Sequence, residues 1–336
     1  MFPPNDNGII TRKPQTPSPR VGCLALAWKI VKVPIALIIF ASFILAMNGL
    51  YSRFWGKGKE NRQLMRRPSN IKEYYLPGTK GGPMILVPAG DFKMGCNHWV
   101  DSECDEGLES EPGFNEEPFH RVYLDAFYID KFEVTHGQYD ECVNAGAFQA
   151  IYKSREFASE FQPVNTVKWN QARTYCEWAG KRLPTEAEWE KALRGPDGRK
   201  YPWGNPGDDE KIDCSRAVMK DVKTNKGGCG RGSTWEVGSK PAGISFYGAY
   251  DMLGNAAEWC SDFWDFHYYQ TSPARNPKGP EGGYTHSLRG GDWLSEPGEL
   301  RASARGYGYA ESGSRAGIRC ARDADLEKER EVKSDK

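Results

Sequence analysis

No charged side chain occurs between Val33 and Ser52. An apolar run of about 20 residues, rising roughly 1.5 Å per residue as a helix, matches one bilayer crossing. This run divides the chain before any other feature does, and only the residues after it can build a globular domain. Residues 1–32 carry five basic and one acidic side chain among Pro, Asn and Ser, and read as a disordered basic segment. That leader is long for a signal peptide, and no small-x-small cleavage site comes after the run. Residues 33–52 are therefore expected to be an uncleaved transmembrane anchor. Lys29 and Lys32 flank one side, Arg53, Lys57 and Lys59 the other, so charge does not set the orientation. Residues 53–83 read as a linker, 84–322 as the folded body and 323–336 as a charged tail.

Forty-five basic and 45 acidic side chains balance to zero, which argues against a nucleic-acid partner. The 37 glycines and 11 tryptophans of the whole chain point to a loop-rich fold pinned by large aromatic anchors, and away from a helical bundle. Eight of the nine cysteines lie beyond the apolar run, without CxxC spacing. An even set of this kind reads as disulfides and places the domain outside the cytosol, although eight cysteines allow about 105 pairings. Cys96 with Cys104 and Cys214 with Cys229 suggest themselves by proximity alone.

Local signals set out the elements. Met84–Gly95 reads as a strand pair turning at Ala89-Gly90, and His120–Val134 alternates as a strand. Thr135-His-Gly-Gln138 and Thr185-Glu-Ala-Glu188 are capping boxes, in which the Thr hydroxyl and the Gln or Glu side chain satisfy free N–H groups of a first helical turn. They predict helices to about Ala145 and Arg194, stopped by Gly146 and Gly195. A further helix is expected from Asn170 to Gly180. Strands are expected near 286–292, 300–305 and 316–321, with turns elsewhere after 196. The acidic stretch 97–119, including Asp101, Glu103 and Glu111, reads as a solvated loop. No nucleophile elbow, P-loop or GxGxxG is present, and the five histidines lack metal-ligand spacing.

Several segments read together: Val87–Gly95 (VPAGDFKMG), Phe127–Thr135 (FYIDKFEVT), Pro163–Trp169 (PVNTVKW), Tyr175–Glu190 (YCEWAGKRLPTEAEWE), Asp251–Trp259 (DMLGNAAEW), Leu288–Trp293 (LRGGDW) and Gly317–Arg322 (GIRCAR). In this order they resemble the formylglycine-generating enzyme, or sulfatase-modifying factor, family over about 84–322. The resemblance implies an α+β, C-type-lectin-like fold with little regular secondary structure. It also implies a Cys176–Cys320 disulfide, and a structural calcium loop with ligands Asp251, Gly254, Ala256 and Glu258. Oxygen donors of this kind suit Ca²⁺. Without the ion, Glu258 would pair with an arginine such as Arg289.

The resemblance departs at the chemistry. Such enzymes convert a sulfatase cysteine to formylglycine with O₂ at a copper ion held by two thiolates, which lie just after an Arg-Gly-Gly-Ser-Trp motif. Here Asp292 replaces the motif serine, Ser295 stands where the first thiolate would be, and no cysteine occurs between 261 and 319. Copper is therefore not expected. Asp292 and Ser295 are the weak catalytic candidates, with Asp292 expected to pair within an arginine-rich stretch (Arg289, Arg301, Arg305). The expected function is a membrane-anchored extracytoplasmic binding or structural subunit of a membrane complex. The alternative is an oxidoreductase acting on a sulfatase cysteine or another periplasmic substrate.

Overall fold

The computed structural model describes residues 72–104, 115–151, 154–157, 159–205, 212–313 and 315–325. The expected anchor at 33–52, the segment 1–32, the linker up to residue 71 and the tail from 326 lie outside the described residues. Among the described residues no helix is long and apolar enough to cross a membrane.

Among the described residues, two four-stranded sheets and one two-stranded ribbon accompany three helices of nine or ten residues and a single helical turn, Tyr268–Thr271. The first sheet has the order β1 (Glu73–Tyr74), β2 (Met84–Val87), β5 (Phe127–Asp130), β10 (Ala321–Asp323), all antiparallel. Its central strands read MILV and FYID, and β5 is buried at every position. An unbroken apolar run of this length is what a strand covered on both faces requires. β3 (Gly90–Met94) and β4 (His120–Leu124) form the ribbon, with Phe92 opposite Val122 inside and Lys93 beside Arg121 outside. The third unit is β8 (Arg305–Tyr309), β7 (Thr285–Arg289), β6 (Ala257–Phe263), β9 (Ala316–Gly317), with β9 parallel to β6.

Three expectations change here. β2 and β3 both exist but do not pair with each other: β2 takes β1 and β5 as neighbours, and β3 takes β4. A strand buried on both faces and a half-buried one belong to different sheets, so the chain crosses between them at Pro88-Ala89. The expected single strand at 120–134 is two, β4 and β5. The strand expected at 300–305 starts only at Arg305, because Pro297–Glu299 forms a 3₁₀ turn and Arg301 turns inward. β1 also extends the folded body back into the stretch read as linker.

The helices obey their caps. α1 (His136–Asn144) and α3 (Glu186–Arg194) each carry a reciprocal capping box from Thr135 and Thr185. α2 (Trp169–Trp178) starts one residue early, its first N–H groups served by Gln171 folding back onto Lys168. α1 and α2 pack with Trp259 and Ile318 in one buried cluster. α3 packs with β2 to β5 in the other, around Trp189.

Three disulfides form: Cys96–Cys104, Cys176–Cys320 and Cys214–Cys229. Cys142 and Cys260 stay as buried thiols, so the even count does not mean complete pairing. The long-range bridge ties α2 to the start of β10 across 144 residues. In the chain-entropy picture a loop of that length contributes roughly 4–5 kcal/mol. Replacing Cys176 and Cys320 together by Ala should lower unfolding free energy by about that amount in guanidinium titrations. A loss below about 1 kcal/mol would refute this assignment of the staple.

Candidate functional site

The glycine doublet after β7 shapes the site. Gly290 and Gly291 have φ of +91° and +67°. A Cβ on Gly291 would lie 2.5 Å from Leu300 and 2.9 Å from the Ser295 hydroxyl, so only glycine lets the turn close. The turn delivers Asp292 and Ser295 together. The Asp292 amide donates to Ser295 Oγ (3.1 Å), and the Ser295 amide donates to the Asp292 carbonyl (2.9 Å). Both side chains border a cavity of about 600 Å³, with Glu116, Arg305, Tyr307 and Arg315 also in its wall.

Burial pushes the Asp292 carboxyl above the usual range, against the Leu294 amide (2.7 Å) and Arg315, which favour its charge. Its partner is Arg315, at 3.3 Å. The expected arginines are engaged elsewhere. Arg289 pairs with Glu190 (2.6 Å), Arg305 with Glu186 (2.8 Å), and Arg301 with Glu116 (2.6 Å) and Asp101 (3.2 Å). Asp101 is therefore buried in an ion-pair cluster with Arg301 and Lys200, and is not part of a solvated loop. Residues 105–114 of that loop lie outside the described residues.

Glu186 and Glu190, one turn apart on α3, form the cavity's support. Burial raises the Glu186 carboxyl, but Arg305 and Arg289 outweigh it and hold it below its ordinary value. Tyr269 donates to both carboxylates (3.2 and 3.4 Å), and Arg289 also donates to the carbonyls of Ala302, Ser303 and Ala304. The cavity wall after β7 thus hangs from α3.

The second expected site assembles differently from its expectation. Asp251 (φ +55°), Gly254, Ala256 and Glu258 are all buried on one loop leading into β6. Glu258 pairs with Arg319 (2.8 Å), not Arg289, and accepts from the Trp189 indole (2.6 Å). Asp251 accepts from the Gly238 amide. A third buried carboxylate, Glu133, joins them and accepts from Asn255 Nδ2 (2.7 Å) and the Ala256 amide (2.9 Å). Burial first, then the charges of Asp251 and Glu258, drive Glu133 well above the carboxylate range. Burial pushes Asp251 up to about 6. Three carboxylates thus crowd around Arg319, and the Lys240 ammonium also lies within electrostatic reach of Asp251. As they stand, the three do not bring their oxygens within 4.8 Å of one another. Sequence reasoning missed Glu133, although it lies in the quoted segment Phe127–Thr135. Arg315 carries no motif signal.

Residues 76–324 match the model of the sulfatase-modifying factor enzyme 1-like domain. The chain belongs to this family. It is 30% identical to the formylglycine-generating enzyme of Bos taurus, covering 74% of this chain and 77% of that one. Against the Streptomyces coelicolor formylglycine-generating enzyme the identity is 32%, over 72% and 90%. Among solved structures, PvdO from Pseudomonas aeruginosa superposes with a TM-score of 0.58 at 25% identity, over 75% of this chain and 100% of that one.

One buried acid beside the site titrates in an accessible range. Asp262 accepts from the Glu186 amide (3.0 Å) at the start of α3, and burial, then the Glu186 charge, lifts it to about 8. An unfolded aspartate loses its proton near 4. The folded state therefore holds the extra proton between those values, and stability falls as pH rises through that window. Asp262→Asn should flatten this slope, by at most about 1.4 kcal/mol per pH unit, in urea titrations from pH 4 to 8. An unchanged slope would refute the assignment.

Proposed function

We propose that this domain is a copper-independent member of the family that works by binding. In this reading it is held at a membrane by residues 33–52, with the folded part outside the cytosol, as a binding or structural subunit of a membrane-associated complex. The lining of the cavity beside Asp292 carries the reading. Among the described residues it offers carboxylates, hydroxyls and guanidinium groups, and no sulfur. Cu(I) takes soft thiolate ligands. Neither free thiol is in that lining: Cys142 is buried with α1 and α2 in one cluster and Cys260 in the other. Cys96 and Cys104, the sulfurs of the one close group of metal-ligating side chains among the described residues, are bonded to each other. Three disulfides suit an oxidising, extracytoplasmic compartment. A C-type-lectin-like frame with long loops suits a binding role.

We further infer a structural calcium ion at Asp251, Gly254, Ala256 and Glu258. The crowding of three buried carboxylates, Glu133, Asp251 and Glu258, around Arg319 supports it. The oxidoreductase reading draws support from the identity with formylglycine-generating enzymes and from Asp292, a buried carboxylate at the cavity wall with its pKa raised. Metal analysis of the detergent-purified full chain separates the two. Calcium at about one per chain, with only trace copper and iron, is the expected result. Stoichiometric copper or iron with O₂ consumption would establish the oxidoreductase instead.

A further inference from the structure

Arg315 borders a second hollow on its other side. A groove of about 550 Å³ is lined by Ile151, Phe157, Thr166, Lys168, Trp293 and Arg315 among others. Ile151, Phe157 and Trp293 give it an apolar wall beside the polar side chains of Ser154, Asn165, Thr166 and Gln171, and the charged side chains in its lining, Lys168 and Arg315, are both cations. Trp293 forms a fixed platform. Its amide donates to the Asn255 carbonyl (3.1 Å), and its carbonyl accepts from the Gly228 amide (2.6 Å). Gly227 lies so close beneath the indole that a Cβ would meet it at 2.7 Å. Phe157 leans on the ring at 5.4 Å. The indole Nε1–H is buried and has no acceptor among the described residues.

Both residues at the rim are held in a conformation that non-glycine residues avoid: Arg315 at φ +60° and Thr166 at φ +62°. Such backbone costs on the order of 1–3 kcal/mol and persists where the surroundings impose it, often at ligand clamps. The Ala257 amide donates to the Arg315 carbonyl (3.1 Å) and fixes that turn. The Arg315 guanidinium meets Asp292 through Nη1 alone, at 3.3–3.4 Å, and its side chain is 46% exposed. Its other nitrogens have no partner among the described residues. Lys168 pairs with Glu311 at the open surface (2.8 Å), a contact of little net worth.

We propose that groove and cavity form one cleft for a small amphipathic anion. Its planar apolar part lies on Trp293 and Phe157, and its carboxylate or sulfonate takes the free donors of Arg315, with Lys168 adding attraction. The groove and the cavity each fall within the usual range for a small-molecule site, about 300–1,000 Å³. This inference rests on the reading of the cavity as a binding site, and it adds the class of ligand.

The test is calorimetric titration of the full chain in neutral detergent with naphthalene-2-sulfonate and with the neutral naphthalene-2-sulfonamide. The sulfonate should bind at one per chain and at least tenfold more tightly than the sulfonamide. Arg315→Asn removes the cation while suiting the left-handed backbone, and should abolish that advantage without changing sulfonamide binding. Arg315→Lys should keep part of it, and Trp293→Ala should weaken both probes. Equal affinities for the two probes, full sulfonate affinity in Arg315→Asn, or no heat from either probe would overturn the proposal. Such a failure in protein free of copper leaves the binding reading of the domain standing, whereas stoichiometric copper removes that reading whatever the probes do.

Discussion

The pairing of Glu186 and Glu190 on α3 with Arg305 and Arg289 on two neighbouring strands is the interaction on which the rest depends. All four side chains are buried, with little or no solvent exposure. Isolating any one of them would strand a charge in the interior, at a cost of about 3–5 kcal/mol. Hydrogen bonds limit that cost: Tyr269, Ser287, the Gly95 amide and three consecutive carbonyls from Ala302 to Ala304 join the network, and among the described residues Arg289 Nε alone of its guanidinium nitrogens lacks an acceptor. It joins the β3–β4 ribbon, α3 and the β7–β8 pair without a continuous sheet. A chain so poor in regular structure needs such a device, because loop backbone has few ladder hydrogen bonds of its own. It also fixes the cavity, since Arg305 serves both the network and the cavity wall.

Upon this frame the glycine doublet turns the chain inward and delivers Asp292 and Ser295 to the cavity wall. The Ser295 hydroxyl accepts from the Asp292 amide and the Asp292 carboxylate from the Leu294 amide, and both are hard oxygen donors, unlike a thiolate pair. Asp292 leans on Arg315, and Arg315 opens onto an aromatic groove with cationic edges. Carboxylate, hydroxyl and guanidinium groups line the cavity, a set that suits a polar or anionic molecule.

What could be read in the sequence divides by range. α1 and α3 were legible to within a residue because a capping box is a local device: Thr135 with Gln138, and Thr185 with Glu188, need nothing from the rest of the fold. The family, and through it the Cys176–Cys320 bridge, was legible from ordered motifs. Partners chosen across the fold were not. Glu258 faces Arg289 in the β6–β7 register yet pairs with Arg319, because Arg289 points to α3. Asp292 passes over three nearby arginines for Arg315, which lies beyond β8. The strand pair at 84–95 failed for the same reason: alternation shows which faces are buried, but not which sheet receives each strand. Cys142 and Cys260 show that parity of cysteines cannot say which of them meet.

The most direct test of the central claim is to offer the purified chain, loaded with Cu(I) and open to air, a cysteine-containing sulfatase peptide, and to analyse the peptide by mass spectrometry. The account predicts that the thiol is recovered unchanged. Formation of formylglycine, trapped as its hydrazone, would mean that a redox centre exists without the sulfur pair, and would contradict it.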